Sequence, residues 1–164
     1  MRVKTILMSL AVLALAAAAS AQTKISGTLQ CSKADPVYTI QVGDRPDHAF
    51  TIGKLTCAYT KPMEIGGIIH KSEEATIFGE VSGDRVRGRG RNVETMANGD
   101  KYYVSVQFSE TLKEGVLQTG EVTWTITGGT GKFKGMKGKG TTKGKGATDG
   151  TSTWEVEGEY ELPK

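Results

Sequence analysis

The run Met136-Lys137-Gly138-Lys139-Gly140-Thr141-Thr142-Lys143-Gly144-Lys145-Gly146-Ala147-Thr148-Asp149-Gly150-Thr151-Ser152-Thr153-Trp154-Glu155-Val156-Glu157-Gly158-Glu159-Tyr160-Glu161-Leu162 decides the fold. Its first half alternates lysine with glycine. Its second half alternates Trp154, Val156, Tyr160 and Leu162 with Glu155, Glu157, Glu159 and Glu161. A period of two is the repeat of a strand. Thr148-Asp149-Gly150 suits a three-residue hairpin loop in which Gly150 takes the left-handed position. Ala147 then faces Thr151, and the register follows by counting. Lys143 falls opposite Glu155, Lys139 opposite Glu159 and Lys137 opposite Glu161. On the other face Gly144 meets Trp154, Gly138 meets Tyr160 and Met136 meets Leu162. Opposite charges pair on one face and aromatic rings cover glycines on the other. A slip of one residue would set each lysine against an apolar side chain.

The same alternation recurs upstream. Tyr102, Val104, Val106 and Phe108 share one face, and Val122, Trp124 and Ile126 share another. Further strands are expected near 24–30, 37–42, 49–59, 74–81 and 84–93. No window after residue 22 keeps a helical period. The result is an all-β chain of eight to ten short strands, enough for an antiparallel barrel or a sandwich. With 22 glycines in 164 residues but no strict three-residue period, a collagen-like chain is excluded.

The first residues read as an address. Met1-Arg2-Val3-Lys4 is basic, Ile6 to Ala19 is apolar apart from Ser9, and Ala19-Ser20-Ala21 gives a small-x-small cleavage pattern. Residues 1–21 are expected to be a signal peptide and 22–164 a single β-barrel domain, exported to a periplasm or secreted. The apolar run is short for a membrane span, so none is expected after cleavage. Arg2 and Lys4 leave with the leader, so the net charge of +3 falls to +1. That balance gives no argument for nucleic acid. Cys31 and Cys57 are expected to form a disulfide in an oxidising compartment. With His48 and His70 far apart there is no metal-ligand spacing, and no metal or cofactor is expected. Both histidines read as surface residues. The Lys/Glu ending reads as a self-neutralising hairpin rather than a basic tail.

Arg85, Arg87, Arg89 and Arg91 form a stripe that the sequence leaves at a fork. A two-residue Asn98-Gly99 turn would put Arg91 opposite Val106 and Arg89 opposite Phe108, on the core face. The lumen would then be cationic and would bind an anion. Desolvation argues that four unpaired guanidiniums belong outside, and a longer loop through Met96-Ala97 flips the parity. Gly128-Gly129-Thr130-Gly131-Lys132-Phe133 fails the phosphate-loop pattern, since Ile126 stands where glycine is needed and Phe133 replaces Ser/Thr. It reads as a tight turn. No nucleophile motif accompanies either histidine.

The stretch from Ile126 through that glycine turn to Gly138 resembles the glycine-turn pattern of the allene oxide cyclase and dirigent barrel superfamily, with the likeness running from about Val122 to Leu162. Thr95-Met96-Ala97-Asn98-Gly99-Asp100-Lys101-Tyr102-Tyr103 and Thr60-Lys61-Pro62-Met63-Glu64 resemble a group of small exported bacterial proteins. The resemblance implies an eight-stranded antiparallel barrel with an apolar lumen, often oligomeric. Plant members cyclise an unsaturated fatty-acid epoxide or steer phenol coupling, but their catalytic residues find no match here, so no catalytic residue is assigned. The leading expectation is a non-enzymatic barrel holding a small, largely apolar molecule. Tyr102, Val104, Phe108, Trp124, Met136, Trp154 and Tyr160 would line the lumen or fill it. Two alternatives stand beside it. One is an isomerase or cyclase acting by containment, with a buried carboxylate or tyrosine of perturbed pKa. The other is an envelope interaction protein with a filled core.

Overall fold

The computed structural model of the chain describes residues 22–163; the leader read at residues 1–21 lies outside them. Ten strands follow in order: β1 (Thr23–Cys31), β2 (Val37–Gln41), β3 (His48–Tyr59), β4 (Glu64–Ile65), β5 (Ile68–Ser82), β6 (Arg85–Met96), β7 (Lys101–Lys113), β8 (Val116–Gly129), β9 (Lys137–Gly146) and β10 (Ser152–Glu161). A 3₁₀ turn, Gly131–Phe133, sits between β8 and β9. All pairings are antiparallel. The order β3-β1-β10-β9-β8-β7-β6-β5 closes through a β5–β3 pairing into an eight-stranded barrel. β2 extends β3 and β4 extends β5 outside that ring. Followed across its partners from Ala49, the ladder returns to β3 at Tyr59, ten residues further on. That stagger tilts the strands, as closure of a barrel requires.

The C-terminal hairpin has the register counted from the sequence: Lys143 opposite Glu155, Lys139 opposite Glu159, Gly144 opposite Trp154 and Gly138 opposite Tyr160. Gly150 takes φ +87, and the loop closes with Ala147 N–H donating to Thr151 O and Gly150 N–H to Ala147 O.

The wall glycines have a packing role. A Cβ on Gly144 would stand 2.2 Å from the Trp154 ring, on Gly140 2.3 Å from Trp124, and on Gly88 2.4 Å from Phe108. Three large rings therefore lie flat on bare backbone of neighbouring strands. Each buries its area without projecting far across the barrel, so the interior keeps open volume.

The glycine turn after β8 closes one end. Asp100 accepts the Lys132 N–H at 3.0 Å, and a Cβ on Gly131 would collide with the same carboxylate at 2.0 Å. Lys101 N–H donates to Thr130 Oγ1, and Thr130 N–H to Lys101 O. This lock drives Phe133 fully out of solvent, beside Met96, Met136 and Ile65. The 60–64 stretch joins the same end, where Met63 O accepts the His70 N–H and Ala97 N–H donates to Ile69 O. The sequence reading missed β4, which is two residues long and carries no period.

The seam between β1 and β3 pairs only three residues on each strand, and Cys31 and Cys57 form their disulfide there as direct cross-strand partners. Closing a loop of 26 residues removes unfolded-state entropy worth about 3 kcal/mol. Reduction is expected to lower the urea midpoint by that order. Gly140→Ala, which drives a methyl into the Trp124 ring, is expected to cost about 1–3 kcal/mol, read from the same unfolding curves.

Candidate binding lumen

The barrel encloses a cavity of about 580 Å³. Its mouth lies among residues Ser32 to Ala34, the β7–β8 turn at Glu114 and Gly115, and the β9–β10 loop from Ala147 to Thr151. At its far end Tyr102, which lines the cavity, packs against the buried ring of Phe133. Of the residues expected to form a lumen, Tyr102, Val104, Phe108, Trp124 and Trp154 line the cavity. Met136 and Tyr160 are buried in the closed end instead, where Tyr160 Oη accepts the Gly66 N–H at 3.1 Å. Both cysteines also border the cavity.

The cationic-lumen branch of the arginine fork is corrected. Arg85, Arg87, Arg89 and Arg91 are all exposed on the outer wall, opposite Thr111, Ser109, Gln107 and Ser105. The hairpin loop holds three residues, Ala97-Asn98-Gly99, with Gly99 at φ +86 and Met96 N–H donating to Asp100 O. One extra loop residue moves Thr95 opposite Lys101 and turns every side chain of β6 over. Val86, Gly88, Gly90, Asn92 and Glu94 then face inward, and four guanidiniums keep their water. The stripe therefore offers no lumenal anion site.

That flip brings together a group the sequence reading missed. Glu73 and Glu94 are cross-strand partners on β5 and β6, 7% and 4% exposed. Asn92 donates from Nδ2 to Glu73 Oε1 at 2.8 Å, and His70 Nε2 bonds Glu94 Oε2 at 2.8 Å. We assign the imidazole hydrogen to Nε2, since Glu94 is the acceptor there and Nδ1 has no partner. Burial raises both carboxyls. Glu94 is pushed up to about 8, and Glu73 is raised by desolvation and then by the Glu94 charge. Desolvation lowers His70, keeping it neutral. Tyr59 and Tyr102, both lining the cavity, are raised by burial and by the same carboxyls. Higher in the cavity wall, burial lifts Glu110 to about 7.

Both histidines are buried rather than on the surface. His70 packs edge-on against Tyr59 behind the cavity wall. At the other end of β3, His48 is 6% exposed and is held by Asp44 and by Glu80 Oε1 at 2.9 Å. Their polar neighbours are distant in sequence, apart from Asp44, so no local pattern announces them. Glu94 was legible in principle: it shares the parity of Val86, Gly88 and Gly90 once the loop is counted as three.

The carboxyl pair sets a pH dependence. A carboxyl whose folded pKa is raised above the unfolded value binds its proton more tightly when folded. Its stabilisation is complete below the unfolded value of 4.5 and is lost as pH rises through about 8. Stability is expected to fall across that window. Glu94→Gln keeps an acceptor for His70 and is expected to flatten the fall and to make the variant more stable than the parent above pH 8, measured by urea unfolding at a series of pH values.

No family model matches the chain, and no curated protein does. Solved structures do. The pterocarpan synthase dirigent protein GePTS1 superposes with a TM-score of 0.50 at 15% identity, covering 98% of this chain and 100% of that one. A second pterocarpan synthase dirigent protein, PsPTS1, gives 0.49 at 14% identity over 88% and 97%. A pyocyanin demethylase gives 0.45 at 19% identity over 82% and 99%. At these identities the likeness concerns the fold. With eight antiparallel strands closed in a ring around an open lumen, the chain shares the barrel fold of the dirigent protein GePTS1.

Proposed function

We propose that this protein is an exported barrel that binds one small, largely apolar molecule in its lumen. The observation that carries the reading is the cavity of about 580 Å³, walled by Val104, Val106, Phe108, Trp124, Ile126 and Trp154 and open at one end. A volume of that order is in the range of small-molecule sites, which are mostly apolar with a few placed polar groups. A side-chain-filled barrel would have served stability alone better, because empty volume forfeits dispersion contacts. The disulfide fits an oxidising compartment and so supports export.

A second reading is favoured by one observation. Glu73 and Glu94, both raised by burial, line a largely apolar chamber, which is what acid or base catalysis by containment needs. A solved dirigent protein of this fold is named a pterocarpan synthase, so the architecture is compatible with a synthase.

Native mass spectrometry of protein purified from its own host tests the main reading. An adduct of a few hundred daltons is expected. Ala75→Phe, which projects a ring into the cavity from β5, is expected to abolish the adduct while leaving the thermal midpoint close to that of the parent. Protein that carries no adduct, and that takes up no apolar probe added in excess, would refute it. The catalytic reading is separated by Glu94→Gln: loss of turnover with retained binding supports it, whereas unchanged ligand chemistry removes it.

A further inference from the structure

We infer that the lumen selects an organic cation, an apolar body carrying an ammonium or other N–H-bearing positive group, with the charge seated against Glu73 and Glu94. The inference rests on the lumen-binding reading above and names the class of molecule that reading leaves open.

The argument begins with where charge lies. The chain has more basic than acidic residues, 21 against 18. The cavity wall reverses that balance. Glu73, Glu94, Glu110, Glu114 and Asp149 line it, and Lys33 is the one basic side chain among its lining residues. The four outward arginines and the lysines of β9 stand on the other side of the wall. Acidic groups are also graded along the depth of the cavity. Glu114 and Asp149 are exposed at the mouth, Glu110 lies further in, and the Glu73–Glu94 pair is buried at the inner end. The exposed acids at the mouth draw a cation in, and the raised acids deeper in the cavity can ionise as it seats.

Hydrogen-bonding capacity at the inner end points the same way. Asn92 gives its amide hydrogen to Glu73, and its Oδ1 is a buried acceptor without a partner. The neutral His70 has spent its N–H on Glu94. Asn92 Oδ1 is thus an open acceptor on the cavity wall, and a guest that brings an N–H group completes it. Trp124, nine-tenths buried on the cavity wall, has an indole N–H without a partner and presents an aromatic ring to the guest. Together with Tyr59, Tyr102 and Trp154 it supplies ring faces that attract a cation in a desolvated space. A carboxylate-bearing guest would sit beside two acids and find one open donor, the Trp124 indole N–H, and no guanidinium among the lining residues.

The groups facing the pair from each packed element are Glu73 and His70 on β5, Glu94 and Asn92 on β6, Tyr102 on β7 and Tyr59 on β3. None brings a positive charge at neutral pH. An entering cation supplies one, so a carboxyl of the pair gives up a proton to solvent as the cation seats. Binding and proton release are then coupled.

Calorimetric titration of the oxidised protein with three probes of one body tests this: naphthylmethylammonium, naphthylmethanol and naphthylacetate, at pH 7 in two buffers of different ionisation heat. The ammonium is expected to bind at least tenfold more tightly than the alcohol, with the acetate weakest, and the buffer difference to report proton release with the ammonium alone. In the Glu73→Gln/Glu94→Gln double variant the ammonium is expected to fall to the affinity of the alcohol, and the proton release to vanish. Alcohol or acetate binding as tightly as ammonium would overturn the cation assignment and leave the lumen reading standing. A preference for ammonium that survives in the double variant would overturn the role of the pair. If none of the three binds, the lumen reading itself fails. Should the double variant not fold, the ratio among the three probes and the proton count on the parent protein decide alone.

Discussion

The structure depends on aromatic rings lying flat against glycine backbone. A closed eight-stranded barrel has an interior that ordinary side chains can fill. Here Trp124, Trp154 and Phe108 rest on Gly140, Gly144 and Gly88 with no room for a methyl between ring and backbone. The arrangement satisfies two opposed demands. Ring area is buried, which holds the wall together, and the rings stay against the wall, which leaves the centre open. Truncating such a ring elsewhere costs about 3–5 kcal/mol, so the rings that border the cavity are also the main apolar stabilisers of the wall. Stability and open volume come from the same contacts.

The two ends of the barrel are built differently. The glycine turn, Asp100 and Phe133 form a lock in which each glycine is demanded by a close approach, and the 60–64 and 95–103 stretches converge on it. These three segments, distant in sequence, are therefore one structural unit, a plug. The mouth is assembled from turns with exposed polar tips. Between the two ends, the short β1–β3 seam is held by the disulfide. A barrel whose weakest seam is covalently closed can carry a cavity and buried acids that would otherwise erode its stability.

The buried acids show how one loop residue decides chemistry. With a two-residue turn after Met96, the lumen would be cationic. With three, Glu94 turns inward beside Glu73, and the arginines turn out. Neither arrangement is favoured by the alternation along β6 itself, which is equally regular in both. Desolvation decides: four guanidiniums cannot lose water without partners, whereas two carboxyls can take up protons and accept hydrogen bonds from Asn92 and His70.

Much of this was legible in the letters. Period-two alternation gave nine of the strands, and the 148–150 loop fixed the register of the last hairpin, because turn type and cross-strand charge agree there and any slip buries lysine. The disulfide followed from an even cysteine count behind a leader-like first segment. The carboxyl pair, both buried histidines and the plugged end were not legible, since each joins residues from strands distant in sequence and depends on the parity of loops that local propensity leaves free. By itself the sequence determined that strands form, which faces of the C-terminal ribbon are wet and dry, and where that ribbon turns. Only the closed tertiary structure decided which side of each remaining strand looks inward, because inward and outward exist only once the ladder returns to its own first edge and water is excluded from one side.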